Sequence, residues 1–85
     1  MKFRFTPHAE EEIARRGIPR ELVEAVLENP QQIVPGYGGR KCYQSQLDFG
    51  RDKMFLLRVI VDDRVNPPEV VTVYRTTKIS KYWRT

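Results

Sequence analysis

At Asn29-Pro30 the hydrophobic period of this chain changes, and no other feature of the sequence limits the fold as much. Upstream, apolar residues recur three and four positions apart, as one face of a helix requires; downstream they alternate, or run together over strand lengths between glycines. A chain ordered this way is α+β, helices first and sheet second, without the strand-helix alternation that builds parallel layers. Its 85 residues can bury one hydrophobic core and not two, so residues 1–85 are read as a single domain.

The first helix is predicted from about Pro7 to Arg16. Thr6 is a ready N-cap and Pro7 suits the first helical position. Glu10, Glu11 and Glu12 fall near the positive end of the helix dipole, Arg15 and Arg16 near the negative end, and Gly17 stops the helix. Pro19 opens a second helix with Leu22, Val23, Val26 and Leu27 as its apolar stripe, until Pro30 drives Asn29 out of helical geometry. Phe3 and Phe5 alternate with charged residues as a short strand-like lead-in. Strands are expected near 31–36, 40–48, 53–62 and 69–76, the last two central and joined as a hairpin. Two N-terminal helices then cover one face of a sheet of about four strands and leave the other partly open. The expected core is Leu22, Val26, Leu27, Phe55, Leu57, Val59, Val71 and Val73.

Cys42 is the only cysteine, so no internal disulfide can form, and its place in a strand reads as packing, not nucleophilic chemistry. Cys, His and carboxylates do not fall at metal-ligand spacings, and neither metal nor cofactor is expected. The longest apolar-rich stretch, Met54 to Val61, is broken by Arg58 and too short to cross a bilayer, and no basic start leads into an apolar run. A cytoplasmic protein without membrane attachment is the expectation. Gly36-Tyr37-Gly38-Gly39 lacks the Lys-Ser/Thr of a phosphate loop and leads into a strand, so it reads as a hairpin turn.

The net charge of +4 is unevenly placed. Over positions 1–69 eleven acidic and eleven basic residues balance, and Arg75, Lys78, Lys81 and Arg84 then stand unopposed. Tyr74, Tyr82 and Trp83 are interleaved with them, which is the composition of nucleic-acid grooves: cations neutralise phosphates and aromatic rings stack on bases. The same residues fit a second reading, in which Ile79, Tyr82 and Trp83 pack back on the sheet and the lysines are merely solvated. Arg40, Lys41 and Arg51, near strand turns, would widen a basic patch.

Arg58 interrupts the most hydrophobic strand, on a face shared with Met54, Leu56 and Ile60. A hairpin register that pairs it with Thr72 brings Tyr74 nearby, and a guanidinium, a hydroxyl and a phenol together suit a phosphate or a developing oxyanion. The alternative is a stem lying over an uncovered sheet face, or an ion pair with a helix carboxylate. His8, the only histidine, projects near Glu12 and Arg15, with Arg16 nearer the core side. It reads either as a general base or as a decoration of the first helical turn.

In order and spacing, His8-Ala9, Arg16-Gly17-Ile18, Glu28-Asn29-Pro30 and Val71-Thr72-Val73-Tyr74-Arg75-Thr76 resemble a family of small uncharacterised prokaryotic and phage domains of unknown function. The resemblance covers nearly the whole chain. That family is distantly similar to the fold group of RelE-type toxins and barnase-like ribonucleases, in which helices pack on a curved antiparallel sheet that carries the active site. The resemblance implies metal-independent RNA cleavage, by attack of a ribose 2′-hydroxyl on the adjacent phosphate, on free RNA or on the ribosome. It also implies a small antitoxin protein as partner. By residue type it supports Arg58, Tyr74, Arg75 and Lys78, while His8 and Arg16 match the N-terminal pattern of the uncharacterised family in a catalytic or a structural role.

The expectation is therefore a toxin-like ribonuclease with His8, Arg58, Tyr74 and Arg75 in catalysis and Lys78, Lys81, Tyr82, Trp83 and Arg84 on the RNA. Two rivals use the same features: a non-catalytic nucleic-acid-binding module, and a protein-interaction domain that docks a partner helix on the open sheet face.

Overall fold

The computed structural model describes residues 2–50 and 53–85, so Arg51 lies outside the described residues. The chain runs β1 (Arg4–Phe5), α1 (Pro7–Arg16), α2 (Arg20–Glu28), β2 (Gln32–Pro35), β3 (Lys41–Asp48), β4 (Met54–Asp62), β5 (Glu69–Thr76) and α3 (Ile79–Tyr82). A 3-10 turn at Tyr37–Gly39 joins β2 to β3, as the glycines there imply.

α1 begins and ends where its punctuation requires. The Thr6 hydroxyl accepts from the Ala9 N–H at 3.1 Å, and Gly17 takes φ 63°, the left-handed conformation that closes the helix and that a Cβ would strain. α2 has no side-chain cap at Pro19 and relies on packing, with Val23, Val26 and Leu27 buried and Leu22 half-buried.

The sheet has five strands in the order β1-β5-β4-β3-β2. All four expected strands are present in antiparallel sequence, with β4 and β5 flanked on both sides. The lead-in adds the fifth: Arg4 and Phe5 pair in parallel with Glu69 and Val70, so the sheet is mixed and not antiparallel throughout. α1 and α2 cover one side, here the helix face, where Ala9, Ile13, Ile18, Val23, Val26 and Leu27 meet Leu57, Val59, Val61, Val70 and Val73.

Two residues of the expected core lie elsewhere. Val71 packs with Val34, Cys42 and Ile60 on the opposite, far face. The cause is a bulge: Ile60 faces Thr72 and Val61 faces Val70, so Val71 is the extra residue and strict alternation fails across it. Phe55 keeps the phase of Leu57 but sits at the distal end of the sheet, edge-on to Phe49 at 5.3 Å between ring centroids.

The far face is also less open than expected. After β5 the chain turns back and lays α3 and the residues that follow it across this face, toward β2. Among the described residues no helix is long and apolar enough to cross a membrane.

Candidate functional site

One row of residues crosses the far face over four strands. Register places Gln32 opposite Gln44, Gln44 opposite Arg58, and Arg58 opposite Tyr74. Thr72, the partner expected for Arg58, faces Ile60 instead, two residues away, and the close neighbour of the guanidinium is the Tyr74 phenol.

The row is hydrogen-bonded end to end. Arg58 donates through Nη1 to the Tyr74 hydroxyl and through Nε to Gln44 Oε1 at 2.9 Å, and Gln44 Nε2 donates to Gln32 Oε1 at 2.8 Å. Gln44 is fully buried and Arg58 is 8% exposed. Among the described residues, the groups that touch the Arg58 guanidinium, from Gln44, Tyr74 and Tyr82, are neutral. Burying an unpaired cation is costly even when its N–H groups are bonded, so the site holds a positive charge for which the described residues supply no anion.

The C-terminal segment lies over this row as a strap. Tyr82 sets its ring 4.1 Å from the Arg58 guanidinium carbon and edge-on to Tyr74, with 6.4 Å between the phenol centroids. Its carbonyl accepts from Gln44 Nε2 at 3.2 Å. Gln32 then grips the Arg84 backbone by both ends, accepting from its N–H at 3.2 Å and donating to its carbonyl. Tyr82 and Trp83 are thus half-buried on the sheet, while Lys78, Lys81 and Arg84 are exposed. The two readings of the tail are compatible: its aromatics pack and its cations face solvent. Among the described residues none of Arg58, Lys78, Lys81 and Arg84 forms an ion pair.

The environment separates the two phenols. Burial pushes the Tyr74 hydroxyl up, against the Arg58 charge. For Tyr82 desolvation acts upward as well, but Lys81, with Tyr74 and Arg58, outweighs it and the net shift is downward. Burial raises the Cys42 thiol, which keeps it protonated and agrees with a packing role.

The other predicted residues do not join this row. Arg75 faces Leu57, so alternation sends it to the opposite face from Arg58 and Tyr74, where its guanidinium lies 4.7 Å from the Phe49 ring and 5.0 Å from Phe55. His8 is exposed on α1, the helix that packs on the helix face. The Glu12 carboxylate beside it is held by Arg15 at 2.6 Å and Arg16 at 2.8 Å, which drives it down to about 2. Arg16 is accordingly exposed and not turned toward the core. Glu10 pairs with Arg20, so two of the three carboxylates of the acidic cluster, Glu10 and Glu12, are held in ion pairs on the scaffold. Lys41 is neutralised by Asp63 at 2.7 Å, and Arg40 lies 5.2 Å from the Tyr37 ring at the β2–β3 turn. Neither extends the strap.

Gln32 and Gln44 escaped sequence reasoning because glutamine carries no motif. The usable signal was phase: Gln44 stands two residues from buried Cys42 on β3, where a polar side chain needs a partner.

The fold and this row define a small α+β domain with a buried cation on one sheet face that no acidic group among the described residues pairs. The chain belongs to the family of domains of unknown function designated DUF4258, whose family model matches residues 5–75. The match takes in Arg58 and Tyr74 and ends before the strap. No curated protein and no solved structure matches the chain.

Proposed function

We propose that this domain is a toxin-like ribonuclease of the RelE kind that works without a metal ion, with Arg58 as its phosphate seat. The observation that carries the reading is a guanidinium buried among neutral partners on a face bordered by unpaired cations. A phosphate supplies the missing charge, and Arg binds it through parallel N–H donors in a setting of low dielectric.

In this reading the ribose 2′-oxygen attacks the adjacent phosphorus and the bond to the 5′-oxygen breaks. Arg58 stabilises the charge that builds on the equatorial oxygens, and Tyr74 holds Arg58 in place. Tyr82, the phenol whose proton is more easily lost, receives the 2′-hydroxyl proton, and Lys81 beside it protonates the leaving 5′-oxygen. Lys78, Lys81 and Arg84 hold flanking phosphates. His8 and Arg75 have no part in this site. The substrate is RNA, free or on the ribosome, and a small antitoxin holds the activity in check.

The test is cleavage of RNA in chelator, with and without ribosomes, by the parent, Arg58→Ala and Tyr74→Phe, beside induced expression in a bacterial host scored for growth arrest and RNA fragmentation. Cleavage by the parent and loss in both variants, with the fold intact, supports the reading. No cleavage by the parent in any arm removes the enzyme.

A second reading, an RNA-binding module without cleavage, is favoured by the position of His8: the side chain best suited to move protons near neutral pH stands on the helix layer. Salt-dependent RNA binding that needs Arg58, with the RNA left intact, would select it.

A further inference from the structure

Arg58 is 8% exposed, and the chain's own C-terminal segment lies against it, with the Tyr82 ring 4.1 Å from the guanidinium carbon. This strap is held lightly for its position. α3 is a single turn with no side-chain cap, and besides the packing of its half-buried Ile79, Tyr82 and Trp83 the segment is tied by polar links from Gln44 to the Tyr82 carbonyl and from Gln32 to the Arg84 backbone. It also carries Lys78, Lys81 and Arg84 over a sheet face that already buries a cation, without an anion between them among the described residues. Like charges on one face oppose closure, and the cation-ring contact of Tyr82 with Arg58 favours it.

We infer that residues 79–84 are a displaceable cover on an oxyanion seat: a phosphate-type anion takes the place of the Tyr82 ring at Arg58, and the strap shifts outward to admit it, which moves the Tyr82 hydroxyl and Lys81 from over Arg58 to the rim of the bound phosphate. This rests on the reading of Arg58 as a phosphate seat and adds its regulation. Closure keeps Arg58 occupied by a neutral ring when no anion is present. Arrival of the anion exchanges one cation-ring contact for an ion pair and leaves the strap's three cations free to engage further phosphates. The Gln32 grip on Arg84 sets how often the cover opens, and the observed affinity is the intrinsic affinity scaled by the open fraction.

Trp83 is the only tryptophan and sits at the end of α3, so its emission reports the strap alone. The experiment titrates the full chain, as parent, Gln32→Ala and Arg58→Gln, with inorganic tripolyphosphate and separately with a short single-stranded RNA. It reads Trp83 emission and amide exchange at Trp83 and Arg84, whose N–H groups bond Ile79 O and Gln32 Oε1. Tripolyphosphate should shift the emission of the parent and speed both amides, bind at least about threefold more tightly to Gln32→Ala, and fail to bind Arg58→Gln. Equal affinity in the parent and Gln32→Ala, or binding that leaves Trp83 and Arg84 protected, overturns the cover. So does absence of tripolyphosphate binding in both. If Gln32→Ala does not fold, amide exchange in the parent decides alone. The RNA arm separates this inference from the function it rests on: a strap that tripolyphosphate opens in a chain that neither binds nor cuts RNA keeps the cover and removes the ribonuclease, whereas Arg58-dependent cleavage under a strap that stays protected does the reverse.

Discussion

On the helix face, Leu57, Val59, Val61, Val70 and Val73 meet six apolar residues from the helical segment, and nothing polar is asked of them. One residue along the same strands, on the far face, Gln44, Arg58 and Tyr74 form a hydrogen-bonded row under a strap of the chain's own C-terminus. The first arrangement is sufficient for folding, because apolar burial is non-directional and tolerates no alternative to being dry. The second needs particular partners at particular distances and still leaves a charge uncompensated. A domain of 85 residues has little stability to spare, so an expensive row on its second face points to use beyond folding.

If that contrast holds, the largest loss of stability comes from the helix face. Leu57→Ala should cost roughly 2–5 kcal/mol in denaturant melts, through lost burial and the cavity left between α2 and β4. A loss below about half a kilocalorie per mole would mean that the helix face is not the folding core.

Arg58→Met should cost much less stability. Replacing the buried charge by an apolar side chain of similar length removes its desolvation cost but leaves Gln44 Oε1 without its donor, so the two effects should offset to within about 1 kcal/mol, while the proposed RNA cleavage and binding disappear. A clear destabilisation by Met, equal to that of Leu57→Ala, would make Arg58 a structural residue and erase the difference between the faces.

How far each face could be read from sequence follows the same division. α1 was legible to the residue because Thr6, Pro7 and Gly17 act locally, through a hydroxyl on a free N–H and a left-handed turn. Most of the helix-face core was legible because burial repeats with a period. It failed at Val71, since two adjacent valines satisfy either phase and the bulge that chooses between them is a tertiary event. Arg58 stood out as a charge inside an apolar run, and Tyr74 as its neighbour, yet the register was misplaced by two residues because a loop between hairpin strands does not fix pairing when one strand is bulged. Arg75 was grouped with Tyr74 by adjacency in sequence, which in a strand puts side chains on opposite faces. Gln32 and the path of the strap depend on long-range contacts that no local pattern announces.

The strap's charge gives a smaller effect. Each phosphate neutralised on a single strand contributes about −0.7 to the slope of log K against log salt, so replacing Lys78, Lys81 and Arg84 together by Gln should flatten the slope by roughly 2 and leave the contribution of Arg58 in place. Filter binding to a short single-stranded RNA across a salt series measures it. The aromatics stay, so the strap still packs. An unchanged slope would mean that these cations are ordinary solvation and that the far face does not meet nucleic acid through its strap.

The smallest effect tests whether the outer side of α1 is scaffold, as its ion pairs indicate, or a second site built on His8 and Glu12. The hydrogen bonds of Arg15 and then Arg16, aided by their charge, lower the Glu12 carboxyl from its ordinary 4.5 to about 2. A carboxylate depressed on folding stabilises the folded state above its ordinary range, and that contribution is lost as pH falls from about 4.5 through about 2. The Arg15 and Arg16 side chains that hold Glu12 are exposed, and ion pairs with exposed partners are screened, so the effect is modest. Glu12→Gln should therefore be slightly less stable than the parent at pH 6 and converge with it near pH 2, in acid titrations followed by circular dichroism. Parallel acid limbs in the two proteins would show that the Arg15 and Arg16 contacts contribute nothing in solution. The same variant, with His8→Ala beside it, is also a check on the chemistry. On the proposed function, RNA cleavage between pH 6 and 8 should match the parent in both, because the reacting groups proposed for it lie on the far face. Loss of cleavage in either, with the fold intact, would move the proton transfer to the helix layer and end the division of labour between the two faces.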